Sequence, residues 1–173
     1  FTIKSLWNNF MNYEIKKITK DNFSEFGDFI NPYDKIGENI NSNTTKSYFD
    51  LANIEILSED KRVRLNLFDA KKRLFPLKID MLENHPFSSQ IFLPLGSYDF
   101  LVITCPASPK PNLKKINIFR VDQGNGINFK PQVWHFPLIS FNDAKFITID
   151  KKNDENNLEI YNFTEEETFT ING

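Results

Sequence analysis

"LENHPFSSQIFLPLG" (residues 82–96) changes character in its middle. Its first residues alternate between apolar and polar, and its last are mostly apolar. Between them lies a Pro-containing polar break. Alternation with a period of two marks a strand, and residues two apart in a strand leave it on one face. Glu83 and His85 therefore share a face. Gln90 opens a second strand after the turn, and Gly96 closes the pair. The expected unit is a β-hairpin with Glu83, His85 and Gln90 converging on one side.

The same grammar continues in both directions. Short apolar or alternating runs occur at 13–18, 48–57, 62–70, 75–83, 98–105, 116–121, 126–129, 135–140, 144–150 and 158–163. Clusters of Pro, Gly, Asn and Asp separate them. Only "TKDNFSEFG" (19–27) reads as a helix, with Thr19 as its N-cap and Gly27 at its C-terminal cap. "NPYDKIGENINSNTTKS" (31–47) reads as a loop, "CPASPKPNLKK" (105–115) as an ordered surface loop, and the acidic tail as a solvated edge. Many closely spaced strands and one short helix predict an all-β sandwich or barrel of the jelly-roll kind. The 10–15-residue helical runs that a parallel α/β sheet needs are missing.

Composition narrows the function classes. The 173 residues suffice for one domain with a sizeable core, and 40% are hydrophobic. A formal net charge of −2 gives no basic field for nucleic acid. No apolar run approaches the roughly 20 residues of a membrane span, so neither nucleic acid nor membrane is expected as a partner. Residues 1–19 lack an uninterrupted apolar core and a small-residue cleavage site, so they do not read as a signal peptide. Met11 reads as a natural start, with residues 1–10 upstream of it; residues 1–12 are expected to be an N-terminal extension and 13–173 a single domain. Cys105 is the one cysteine and sits in the apolar run "FLVITC", which marks a buried small residue and a reducing, cytoplasmic setting.

The chemistry-bearing candidates are few. His135, in "KPQVWHFPL" (130–138), is one of only two histidines. Alone, it reads as a packed loop residue. A shared interior face with His85 changes that reading. Glu83 has no apolar reason to face a core, since burying an unpaired carboxylate is costly. Trp134 reads as packing, and Pro86 and Pro137 as turn formers. "QGNG" (123–126) is a tight turn and not a phosphate loop, because no Lys-Ser/Thr follows.

Glu83-x-His85-x₄-Gln90 followed by Gly96, and Gly124, Gly126, Pro131 and then His135, resemble the two motifs of the cupin superfamily, with Glu for one His and Gln for the Glu. Over residues 13–163 the chain further resembles the ureidoglycolate lyase family. The resemblance is carried by "FGDFI" (26–30), "YFDLANIEIL" (48–57), "LENHPFSSQIFLPL" (82–95), "GINFKPQVWHFPL" (126–138) and "FITID" (146–150). It implies a cupin-like double-stranded β-helix barrel with one short N-terminal helix, and a homodimer. It also implies cleavage of the small molecule (S)-ureidoglycolate to glyoxylate and urea, a step of allantoin and purine catabolism. Carried across, His135, His85 and Glu83 are the catalytic residues, with either histidine as base and Glu83 assisting. Gln90, Asn128 and Asp50 hold the substrate, Asn41 also matches, and Lys130 is expected beside them as a substrate-binding cation outside the family pattern. No cofactor is required on this reading, although two imidazoles and a carboxylate are a set that ligates divalent cations.

The chain departs from the family pattern at Ser47 and Asp69, where Arg is common, and at Phe129 and Phe136, where Tyr and His occur. Lys46, Arg64 and Lys130 are the cations able to replace the missing arginines. The departures keep open a non-catalytic cupin that binds a small carboxylated ligand or a metal. A metal-dependent sugar isomerase is weaker, because the first motif lacks a second histidine on the same face.

Overall fold

The computed structural model describes residues 13–152 and 156–172. The proposed extension over 1–12, with Met11, lies outside the described residues. In chain order the strands are β1 (Ile15–Lys17), β2 (Gly27–Ile30), β3 (Glu38–Ile40), β4 (Thr45–Ser47), β5 (Val63–Ala70), β6 (Leu77–Ile79), β7 (Met81–Asn84) and β8 (Gln90–Pro94). They continue as β9 (Phe100–Cys105), β10 (Asn117–Val121), β11 (Gly126–Phe129), β12 (Trp134–His135), β13 (Ile139–Ser140), β14 (Ala144–Lys151), β15 (Glu159–Asn162) and β16 (Phe169–Ile171). A seven-stranded sheet runs β1-β10-β9-β12-β7-β15, with β13 also paired to β9. A five-stranded sheet runs β2-β11-β8-β14-β5. Apart from the parallel β1–β10 pair, the strands of both sheets are antiparallel. The chain crosses repeatedly from one sheet to the other, which makes this the all-β, cupin-like sandwich the sequence predicts.

The run "FLVITC" shows why the sequence folds this way. Phe100 and Val102 of β9 point into a core between the two sheets, with Phe92, Phe119, Ile127 and Phe146. Leu101, Ile103 and Cys105 point the other way, into a second cluster with Leu82, Ile118 and Trp134. Ile79 and Ile171 of the separate β6–β16 pair close that cluster over. A strand buried on both faces loses its alternation and reads as continuous apolar sequence. Each such large side chain contributes about 1.5–3 kcal/mol on burial. Cys105 is fully buried, and burial pushes its thiol up to about 11, so it stays protonated and inert.

Four local expectations change. The helix is only Lys20–Phe23. Thr19 caps it as expected, through a capping box with Asn22. Phe23 and Phe26 then turn into the core, and the chain enters β2. Gly27 is the first residue of β2, not a helix cap: a Cβ there would lie 1.8 Å from the Asn128 carbonyl oxygen on β11. Residues 48–57 form no strand. Their amides go instead to Asp28, Ser89 and Phe87, and Ile56 makes one isolated bridge to Ser88.

The "loop" 31–47 contains the β3–β4 hairpin. Asn41, Ser42 and Asn43 turn it through positive φ, which short polar residues tolerate. Finally, β7 and β8 form no hairpin. They lie in different sheets and face each other across the core. Among the described residues no helix is long and apolar enough to cross a membrane.

Candidate active site

His135 on β12 lies opposite Glu83 on β7 and opposite Thr104 on β9, while Glu83 lies opposite Ile160 on β15. Cross-strand partners leave a sheet on the same face. This lateral row therefore points where Val102 and Phe100 point, into the space between the sheets. In the facing sheet, Phe129 on β11 lies opposite Gln90 on β8. The Phe129 ring stacks on the His135 ring, with centroids 4.1 Å apart and planes 13° off parallel. The two rows therefore meet, and Gln90 belongs to the same interior.

His85 follows β7 directly, and its ring centroid is 5.4 Å from that of His135. The Glu83 carboxylate and the two imidazoles each offer one ligand atom within 4.8 Å of the others. Both rings are held from behind. His85 Nδ1 lies 2.7 Å from the Asn157 carbonyl, and His135 Nδ1 lies 3.0 Å from the Val133 carbonyl. A carbonyl accepts only, so each Nδ1 carries the proton and each Nε2 presents a lone pair. Both Nε2 atoms are buried without a hydrogen-bond partner, as is Gln90 Oε1.

The electrostatics of His135 agree with a neutral ring. Burial, and next the neighbouring His85, push the His135 imidazole down to about 3, so it is uncharged at neutral pH. Its 3.7 Å approach to Glu83 is therefore not an ion pair. Burial raises the Glu83 carboxyl, and His85 opposes that shift. Two imidazole Nε2 atoms and a carboxylate brought this close are a set that could hold a cation. Imidazoles that donate their far N–H to backbone carbonyls are the usual support of such a set. Asn157 is the supporting residue that the sequence reading missed. Buried in the "NDENN" stretch, it holds His85 with its carbonyl, accepts from the Phe87 amide and donates to Ser88. A polar run offers no periodicity that would single it out.

The remaining expected residues lie elsewhere. Asn128 precedes Phe129 and leaves β11 on the opposite face, where its amide donates to Asp28 and to the Asn53 carbonyl. Asp50 and Lys130 line a cavity of about 420 Å³ on that outer side, and Lys130 donates to the Ser24 carbonyl. Asn41 and Lys46 belong to the β3–β4 hairpin. Of the four departures, only Phe129 touches the inner site. Phe136 packs in the cluster on the outer face of the larger sheet, with Arg73 over its ring. Ser47 ends β4, and Asp69 leaves β5 on the face away from the core, opposite Lys145.

The family model described as ureidoglycolate lyase matches residues 11–171. A ureidoglycolate lyase of Agrobacterium fabrum is 37% identical over 154 residues, 88% of this chain and 92% of that protein. One of Stutzerimonas stutzeri is 32% identical over 158 residues, 91% and 93% of the two chains. Among solved structures, a TDP-fucose-3,4-ketoisomerase of Campylobacter jejuni superposes with a TM-score of 0.40 at 15% identity, over 86% of this chain and 89% of that one. By its sequence over nearly its full length, the chain belongs to the ureidoglycolate lyase family.

Proposed function

We propose that this protein is a ureidoglycolate lyase that releases urea and glyoxylate from (S)-ureidoglycolate, working in allantoin and purine catabolism. The observation that carries the reading is the convergence of Glu83, His85 and His135 on the inner face, in a chain of this family. The reaction is an elimination. The carbinol hydroxyl loses its proton, its oxygen forms the glyoxylate carbonyl, the C–N bond breaks, and the departing urea nitrogen takes a proton.

On this reading a cation would take up both Nε2 lone pairs, which leaves neither histidine to carry that proton, and burial keeps His135 uncharged. Glu83 has a carboxylate oxygen to spare, and its side chain is 19% exposed. On this reading one Glu83 carboxylate oxygen carries the proton, while its other oxygen and the two Nε2 atoms would hold a cation. Gln90, with its buried unpartnered oxygen, accepts from the ureido N–H groups.

The donor set fits a divalent transition cation, with Glu83, His85 and His135 as its holders. Bound there, it supplies a Lewis acid that acidifies the carbinol hydroxyl. Charge balance supports the fit. The charged side chains of the two facing rows are Glu83, Asp150 and Arg64, one negative charge in excess, which repels a carboxylate substrate. A divalent cation reverses that sign.

The test is glyoxylate release from ureidoglycolate by the purified, cation-supplied protein. We expect turnover well above the spontaneous rate. A rate equal to background, with an active lyase run in parallel, would remove the reading. A binding module without turnover, the other reading the sequence allows, is not favoured by the family membership.

The single domain over 13–173 assembles as a homodimer on this reading. Val63, Leu65 and Leu67 line the outer face of edge strand β5 and are 48%, 68% and 56% exposed, an apolar stripe that a second copy would cover. Changing Leu65 to Glu should halve the mass seen by sedimentation velocity. A wild-type protein sedimenting as a monomer at micromolar concentration would contradict the dimer. A single buried thiol suits the cytoplasm.

A further inference from the structure

Substrate and product of the proposed reaction are both carboxylates, and a carboxylate in a partly closed site needs a fixed cation or an array of N–H donors. The sequence offers Lys46, Arg64 and Lys130. Only Arg64 leaves its strand on the inner face. It lies opposite Asp150 on β14 and alternates with Leu65, which is exposed on the outer side. The register Ile149 to Ile91 sets Asp150 beside Gln90. Arg64, Asp150, Gln90 and Phe129 thus form one lateral row across the five-stranded sheet, facing the row Ile160, Glu83, His135 and Thr104 of the other sheet.

Asp150 is 4% exposed and grips the guanidinium along one edge, with Nε at 2.7 Å from Oδ1 and Nη2 at 3.0 Å from Oδ2. Asn66 donates to the same carboxylate at 3.2 Å and to Thr148 Oγ1 at 3.2 Å, which fixes the carboxylate in turn. A guanidinium has five N–H donors. Two are used, and the other three have no partner among the described residues. The Arg64 side chain keeps 40% exposure. Ile160, at the edge of the row that holds Glu83 and His135, is 52% exposed.

We infer that Arg64, clamped by Asp150 and Asn66, is the residue that receives the substrate carboxylate on its free guanidinium edge. The inference rests on the lyase reading for the identity of the substrate. It does not depend on that reading for the class of ligand, a small carboxylate. Asp150 and Asn66 are positioning residues: they hold the fork and do not touch the ligand.

Removing only Arg64 leaves a buried carboxylate unpaired, which threatens folding. The variant to use is therefore Arg64→Gln with Asp150→Asn, which removes both charges and keeps a polar pair. Arg64→Lys serves as the charge-conserving control. In the double variant we expect KM for ureidoglycolate to rise about 10- to 100-fold, the loss of one charge-assisted contact. The expected change in kcat is far smaller.

Glyoxylate affinity, read by calorimetry, should fall in parallel, and Arg64→Lys should recover only part of the loss. Wild type should prefer ureidoglycolate over its neutral methyl ester, and the double variant should lose that preference. A folded double variant that keeps KM, glyoxylate affinity and acid-over-ester preference would overturn the assignment. If wild type releases no glyoxylate at all, the lyase reading fails separately, and Arg64 stands or falls on glyoxylate binding alone.

Discussion

Replacing His135 by Gln is expected to lower kcat/KM for ureidoglycolate by on the order of 10³-fold, the scale of losing a central catalytic group. The reason is geometric. His135 Nε2 is buried without a partner and aimed at Glu83 and His85, and Phe129 covers the ring on one face. Gln preserves much of the volume, so the core between the sheets should survive, and a thermal midpoint within a few degrees of wild type is the check on that. His135→Ala is the poorer probe, because it opens a void against Phe129 and lowers stability through lost packing. A folded His135→Gln protein with kcat/KM within a few-fold of wild type would return His135 to a packing role.

The second large effect concerns the cation. Protein stripped with a chelator should lose its lyase activity and regain it when one first-row divalent cation is restored. Binding to the folded state alone, at about 100 times Kd, adds about 2.7 kcal/mol of stability. For a chain of this length that raises the thermal midpoint by roughly 5–10 °C. Glu83→Gln and His85→Gln should each abolish most of that rise. Stripped protein that is fully active, with no response of the midpoint to Mn²⁺, Ni²⁺ or Zn²⁺, would leave Glu83 and the two histidines as proton-handling groups only.

How far the sequence foretold this arrangement depends on strand parity. Glu83 and His85 are two apart at the end of one strand, and the period-two rule brought them together correctly. Their hairpin with Gln90 was wrong in detail. A turn after His85 is compatible with strands in one sheet or in two facing sheets, and local sequence does not separate these. Asn128 illustrates the opposite failure. It precedes Phe129, so the two cannot both face inward, and parity alone would have turned Asn128 away from a site that contains the Phe129 side. Arg64 and Asn66, like Thr148 and Asp150, alternate as polar residues between apolar ones, a pattern that ordinarily turns the apolar residues inward. The reverse holds here: the polar residues leave the strands on the face toward the other sheet, and Leu65 and Leu67 face out. The β3–β4 hairpin was invisible because its stability comes from a left-handed Asn-Ser-Asn turn and backbone pairing, and almost no apolar signal marks it.

The stacked Phe129 ring has a consequence for observing the site. An aromatic face lying 4.1 Å above an imidazole shields the protons of that imidazole through its ring current. The chain has only two histidines, and only one of them lies under this ring. The carbon-bound ring protons of His135 therefore resonate upfield of those of His85 in a proton spectrum. The two imidazoles are told apart without isotope labelling or mutation, and each can be followed on its own as a ligand or a cation enters.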